Sequence, residues 1–277
     1  MFKILKWSIT ALVLICVFTG CKAADKWTLV WSDEFDETEL DMSKWTYQVG
    51  NGAEYGNPGW GNNEAEYYTP LNVNVEDGKL VIEANREDLL GYRYTSGKLV
   101  TDSKFSTLYG KIEASIKMPE TDGLWPAFWM LPQDNAYGGW AASGEIDIME
   151  AKGRLPDTVG GTIHYGGAWP KNVYSTASYT FPKGQSIGSG FHTYTLEWEP
   201  DEMRWYVDGN LYSTQNKWNS QTGATENAFP APFDKNFYLI LNLAVGGNFD
   251  GGVVPPGDFS SADMEVDYVR VYQLADK

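Results

Sequence analysis

The amino-acid sequence predicts an all-β protein, a β-sandwich folded as a single domain. Short runs in which apolar and polar residues alternate recur along the chain, with Gly, Pro, Asn and Asp between them. A sustained helical period is absent. The chain has 277 residues, enough for one large β domain, and many short strands at this spacing characterise two-layer sandwiches. No internal repeat or low-complexity linker divides it.

The N-terminus reads as an export segment. MFKILKWSITALVLICVFTGC carries Lys3 and Lys6, then an apolar run from Ile9 to Phe18, then small residues. That run is shorter than the ~20 residues needed to span a bilayer. The ending FTGC resembles a bacterial lipoprotein box, which places cleavage before Cys21 and makes Cys21 the lipidated residue. The expected organisation is a lipoprotein signal peptide over 1–20, a short tether over 21–29 and one domain over 30–275. The expected location is a membrane, reached through the lipid anchor, at the cell surface or in the periplasm; plain secretion is the alternative. Cys16 and Cys21 are the only cysteines, and Cys16 falls in the removed segment. An exported chain without a disulfide pair must draw its stability from its core.

The remaining elements follow in order. LDMSKW (40–45) is compatible with one short helix. GKLVIEA (78–84) and GKIEASIKMP (110–119) alternate as strands with one buried face do. LWPAFWML (124–131) is apolar on both faces: Trp125, Ala127 and Trp129 share one, Leu124, Phe128 and Met130 the other. One face packs on the opposite sheet; the two tryptophans lie bare unless a further layer or a ligand covers them. EIDIME (145–150) alternates again. YTLEWEP (194–200) and MRWYVDG (203–209) read as two strands joined by a Pro-Asp turn. FYLILNLAVGG (237–247) and VDYVRVYQ (266–273) complete the set, and the N- and C-terminal strands are expected to lie near each other.

Composition narrows the partners. The net charge is −16, so nucleic acid is excluded for want of a basic footprint and an acidic polymer is disfavoured. Aromatic residues are plentiful, with Trp 12, Tyr 17 and Phe 12, which suits a surface that stacks flat molecular faces. The expected partner is neutral, and the expected state is a monomer.

GEIDIMEAK (144–152) poses the chemical question. Plain alternation puts Glu145 and Asp147 on one face and Glu150 on the other, in the core. Burying an unpaired carboxylate costs several kcal/mol. A β-bulge at Met149 or its neighbour flips the phase and returns Glu150 to the face of the other acids. Residues four regular positions apart have Cα atoms ~13 Å apart, and side chains leaning inward bring their carboxyls to ~5–7 Å. Retaining glycosidases hold theirs about 5–5.5 Å apart and inverting ones hold them wider. The competing reading is a solvated acidic face on an outer strand.

GEIDIMEAKG closely resembles the active-site signature of glycoside hydrolase family 16. WSDEFD (31–36), WGNNEAEYYT (60–69), YGKIEASIKMPETDGLWPAFWMLP (109–132), GTIHYGG (161–167) and LNLAVGGNFDG (241–251) resemble its laminarinase-type members, the endo-β-1,3-glucanases, in the same order. The resemblance implies a concanavalin A-like jelly roll of two curved antiparallel sheets with a cleft on the concave face. It implies Glu145 as nucleophile, Asp147 as its assisting acid and Glu150 as acid/base. It implies substrate contacts from Trp125, Trp129, Asn62, His164 and Trp140; His192, outside every motif, reads as structural. It implies no cofactor for catalysis, and a structural calcium ion at Glu34, Gly78 and Asp267, where hard oxygen donors suit Ca²⁺. Two departures stand out: Glu66 occupies a place where Gln is frequent, and Phe249 and Asp250 one where Trp and Pro are common. The implied activity is endo-acting, retaining hydrolysis of a neutral β-1,3-glucan such as laminarin. The alternatives are hydrolysis of another β-glycan (mixed-linkage glucan or an agar-type galactan) and a surface lipoprotein that binds glycan without cleaving it.

Overall fold

The computed structural model describes residues 26–275. The expected signal peptide and Cys21 lie outside the described residues. Within them the chain forms nineteen strands and four single-turn 3-10 segments, with no α-helix. In chain order the strands are β1 (Trp27–Asp33), β2 (Thr46–Tyr47), β3 (Glu66–Tyr68), β4 (Val73–Glu76), β5 (Lys79–Asn85), β6 (Tyr94–Ser96), β7 (Lys98–Val100), β8 (Gly110–Lys117) and β9 (Leu124–Pro132). They continue with β10 (Glu145–Ala151), β11 (Thr158–Gly166), β12 (Asn172–Thr180), β13 (His192–Glu199), β14 (Glu202–Val207) and β15 (Asn210–Gln215). β16 (Gln221–Thr222) and β17 (Thr225–Glu226) make a small ribbon, and β18 (Phe237–Val245) and β19 (Ser261–Leu274) close the chain.

Two large sheets result. One runs β15-β14-β13-β8-β19-β5-β6-β3, with β1 beside β19 and β4 beside β5. The other runs β12-β11-β10-β9-β18-β7-β2. Every large-sheet pairing is antiparallel except β3 with β6. Between the sheets lies one apolar core, with Leu80, Ile82, Ile112 and Ile116 from the first sheet and Phe128, Met130, Ile146 and Leu241 from the second. Each such side chain, fully buried, contributes roughly 1.5–3 kcal/mol. This is the expected jelly roll.

The strands read from sequence are all present. The N-terminal strand pairs with the C-terminal one, Trp27 opposite Leu274, and the Pro-Asp turn joins β13 to β14 with Glu199 opposite Glu202. Three expectations need correction. Residues 40–45 form a single turn rather than a helix: Asp41 Oδ1 accepts from the Ser43 N–H (2.8 Å) and hydroxyl (2.6 Å). That local competition ends the turn, and Trp45 enters the core with its indole N–H on Asp33 Oδ2, 2.8 Å. The 21–29 tether overlaps β1, which begins at Trp27 and is held by β19. β11 and β12, read only as a motif or not at all, form the half of the second sheet beyond β10. β12, NVYSTASYT, lacks the apolar alternation that marks a core strand because it is the sheet edge.

Candidate active site

β10 lies between β9 and β11 in the second sheet. Along β11 it pairs Glu145 with His164 and Asp147 with Thr162, then Glu150 with Gly160. Ile148 and Met149 together oppose the single residue Gly161, which makes a β-bulge. On the β9 side the register also slips, from Asp147 opposite Trp129 to Met149 opposite Phe128. His164, Thr162 and Gly160 share one face of β11, so Glu145, Asp147 and Glu150 share one face of β10. Ile146, Ile148 and Met149 point the other way, into the core. The expected bulge is present, at the expected place.

The bulge is held from the opposite sheet. The indole N–H of Trp205, in β14, donates to the carbonyl of Asp147 at 2.9 Å. Gly161 leaves space for it, since a Cβ there would lie 2.5 Å from Trp205 Cδ1 and 2.6 Å from the Tyr212 hydroxyl. No sequence motif points to Trp205, because the contact crosses the sandwich.

Each flanking glutamate receives a neutral indole donor. Trp125 Nε1 donates to Glu150 Oε1 at 3.0 Å, and Trp140 Nε1 donates to Glu145 Oε2 at 2.9 Å. His164 Nε2 stands between the other two acids, 3.5 Å from Glu145 Oε1 and 3.4 Å from Asp147 Oδ2. Burial pushes the carboxyls of Glu145, Asp147 and Glu150 each up to about 8. Their mutual repulsion adds to this for Glu145 and Glu150, while the two indole bonds and the nearby His164 oppose it. Three adjoining buried acids cannot all ionise, so the cluster keeps protons near neutral pH. Donor atoms of Glu145, Asp147 and His164 lie within 4.8 Å of one another, a set that could also hold a metal ion. One imidazole with two carboxylates suits a first-row transition ion better than calcium.

The tryptophans of β9 stand on the face opposite its core residues Leu124, Phe128 and Met130. Trp125 is not an open platform: Phe249 stacks on it, with ring centroids 4.7 Å apart and planes 24° apart. The loop carrying Phe249 is strapped down by its neighbour. Asp250 is buried, and its Oδ1 lies 2.6 Å from Arg154 Nε and 4.0 Å from Lys152 Nζ. The Phe-Asp departure from the family pattern thus fastens a wall beside Glu150. Trp129 is half-buried, and its indole starts a relay behind the cleft. Trp129 Nε1 donates to Asn242 Oδ1 (2.7 Å), Asn242 Nδ2 to the Tyr68 hydroxyl (3.1 Å), and that hydroxyl to Glu64 Oε2 (3.0 Å). Asn62 Nδ2 lies 3.4 Å from the other Glu64 oxygen, so the relay ties Asn62 to Trp129. Lys98 Nζ sits over the rings of Trp60 (4.0 Å), Trp129 (5.1 Å) and Tyr68 (5.8 Å), and burial pulls its pKa down.

Glu66 is fully buried beneath this wall and accepts from the Val245 N–H at 2.7 Å. Burial, then repulsion by Glu64, raises its pKa well above the carboxylate range. A neutral acid has the shape and the donor of the amide frequent at this place in the family. His192 is remote, in the first sheet, with Nδ1 2.7 Å from Asp208 Oδ2.

Among the three positions expected to hold calcium, the Glu34 side chain is engaged by an arginine. Its two carboxylate oxygens are taken by Arg270, from Nε at 3.0 Å and Nη2 at 2.6 Å, and this pairing holds the carboxyl below its usual range. Gly78 sits in the β4–β5 turn at φ 71°, and Asp267 is at the β19 bulge. A calcium ion there would draw on the backbone carbonyls of Glu34 and Gly78 and on the Asp267 carboxylate, since calcium takes carbonyl as well as carboxylate oxygens.

The family model described as "Glycosyl hydrolases family 16" matches residues 61–269. A glucan endo-1,3-beta-glucosidase A1 of Niallia circulans is 50% identical over 258 residues, covering 88% of this chain and 38% of that protein. The chain thus spans little more than a third of that relative. A glucan endo-1,3-beta-glucosidase of Cryptopygus antarcticus is 42% identical, covering 94% of this chain and 95% of that protein. The laminarinase catalytic domain of Thermotoga maritima MSB8 superposes with a TM-score of 0.79 at 40% identity, covering 91% of this chain and 100% of that one.

Glu66 generates a pH-dependent stability test. Its folded pKa lies above the unfolded one, so its stabilising contribution is whole below the unfolded value near 4.3 and is lost as pH rises toward the folded value. Glu66→Gln should leave the melting temperature nearly unchanged at pH 4 and raise it at pH 8. An equal or lower value at pH 8, by calorimetry, would show that Glu66 is not held neutral.

Proposed function

The chain belongs to glycosyl hydrolases family 16, and from that premise we propose that it is an endo-acting, retaining β-1,3-glucanase acting on neutral laminarin-like polymers. The observation that carries the reading is the β10 bulge, which puts Glu145, Asp147 and Glu150 on one face of one strand. Glu145 carboxylate attacks the anomeric carbon while Glu150, protonated, gives its proton to the departing glycosidic oxygen. The C1–O bond breaks and a glycosyl ester on Glu145 forms. Glu150, now a carboxylate, takes a proton from water; the water oxygen bonds to C1 and the ester is cleaved, restoring both groups.

The surroundings match these roles. Glu145 is served by the Trp140 indole and by His164, which favour its charge. Asp147, raised by burial alone, keeps a proton to share with its neighbours. Burial pushes Glu145 and Glu150 up alike, to about 8, so the cluster holds protons at neutral pH; the working form is the one with a proton on Glu150 and none on Glu145. Trp129 of β9 and Asn242 of β18 stand on one side of β10 and His164 of β11 on the other.

The direct test is reducing-end release from laminarin. Glu145→Gln and Glu150→Gln should each lower kcat at least about 100-fold without changing the melting temperature greatly. Normal turnover in either variant would overturn the assignment.

The indole on Glu150 gives a finer test. The Trp125 N–H favours the charged carboxylate, so removing it raises the Glu150 pKa. In Trp125→Phe the alkaline limb of the kcat profile, where the acid loses its proton, should move to higher pH. A limb that stays or moves down would contradict the role of Glu150 as acid.

Deleting Met149 leaves Glu-Ile-Asp-Ile-Glu, in which the acids alternate without a bulge. The loss of its buried side chain should cost about 2–5 kcal/mol, seen as a lower melting temperature. Measurable β-glucanase activity should survive, above that of Glu150→Gln. A folded deletion variant as inactive as Glu150→Gln would count against the bulge as the device that presents Glu150.

A further inference from the structure

We propose that the hairpin of β11 and β12 carries outer sugar subsites, built on Tyr174 and Trp169, that hold glucosyl units of the polymer away from the scissile bond. The inference rests on the β-1,3-glucanase reading and extends its site. Tyr174, on the strand beyond β11, is 64% exposed, and Trp169, in the turn between β11 and β12, is 72% exposed. Neither belongs to the apolar core, whereas Tyr165 and Tyr179 of the same two strands pack against it. Core packing therefore does not account for them, and Tyr174 continues a run of ring contacts through His164 to Trp140, itself 39% exposed, as interaction surfaces do.

Their placement is continuous with Glu145. The Trp140 indole bonded to Glu145 has its ring 5.5 Å from His164, and His164 is 5.7 Å from Tyr174, its register partner on β12. Flat faces thus run from the catalytic carboxyl to the free edge of the sheet. Trp169 stands at the hairpin tip, which is tied back to this run: its N–H donates to the Trp140 carbonyl at 2.7 Å, and Gly166 N–H to Asn219 O at 3.0 Å. Next to the strip a hollow of about 180 Å³ is bounded by Glu150, Thr162, Thr176, Ser178 and Phe249. The Thr162 hydroxyl donates to that of Thr176 (2.9 Å), which donates in turn to the Gly161 carbonyl (3.4 Å), so the pair offers acceptor lone pairs to a ligand. Aromatic faces beside small hydroxyl side chains are what a pyranose ring, with C–H faces and an equatorial rim of hydroxyls, requires. No acidic or basic side chain stands on this face of β12, which suits a neutral polymer. The occupant we infer is the continuation of the chain being cut.

The experiment compares Tyr174→Ala, Trp169→Ala and the double variant on laminarin and on a β-1,3-linked trisaccharide too short to reach them. The double variant should raise KM for laminarin roughly fivefold to tenfold, and its kcat/KM should fall further on the polymer than on the trisaccharide. In a Glu145→Gln background, calorimetric affinity for a β-1,3-linked hexasaccharide should fall by a similar factor, and Tyr174→Trp should retain it. Unchanged polymer KM and hexasaccharide affinity would overturn the proposal. So would equal losses on both substrates with a lowered melting temperature, which would mark a structural role. A wild-type dimer that sediments as a monomer in the double variant would assign the face to a second copy of the chain. Inactivity of the wild-type protein on laminarin would overturn the substrate reading instead, and the subsites would then be measured on the β-glycan that it does cleave.

Discussion

Three carboxyl groups on one short, buried strand are the constraint around which the second sheet is arranged. An acid facing the core would need a partner or a proton, and β10 avoids that by inserting a residue. The insertion frees backbone groups and displaces two apolar side chains, and both consequences are met inside the sandwich. Ile148 and Met149 enter the core side by side, the Asp147 carbonyl is taken by the Trp205 indole, and the strand opposite yields a glycine at the point of contact.

On the cleft side of the same strand no lysine or arginine among the described residues is paired to Glu145 or Glu150, and the basic side chain beside Glu145 is His164, 3.5 Å from Oε1. Indoles serve them instead, Trp125 and Trp140. An arginine would fix both carboxyls as anions; an indole steadies a charge yet leaves the group able to hold a proton. A mechanism in which one acid is ionised while the other is protonated needs that balance. The Phe249 loop, pinned by Asp250 and Arg154, covers Trp125 and so fixes the indole that bonds Glu150.

Behind the cleft, five polar side chains are linked by hydrogen bonds. These run in one sense from Trp129 through Asn242 and Tyr68 to Glu64, which accepts from Asn62 as well. The sequence departure at Glu66 is absorbed here, since a buried carboxyl held neutral replaces an amide without introducing a charge.

Much of this was legible in the chain. Period-2 alternation sets which side chains share a face, so the two faces of β9 and the need for a bulge in β10 followed from residue order alone. Local chemistry also fixed the Pro-Asp turn between β13 and β14. Three kinds of feature were beyond its reach. A turn at 40–45 competed with a helix, and the pull of Trp45 into the core decided it. β12 carries no core-facing stripe, so only its place at the sheet edge defines it. Trp205 and the Asp250–Arg154 clamp join residues 58 and 96 positions from their partners. Periodicity reports the direction of a side chain relative to its own strand; what that side chain meets depends on which distant strand the closed sandwich places opposite it.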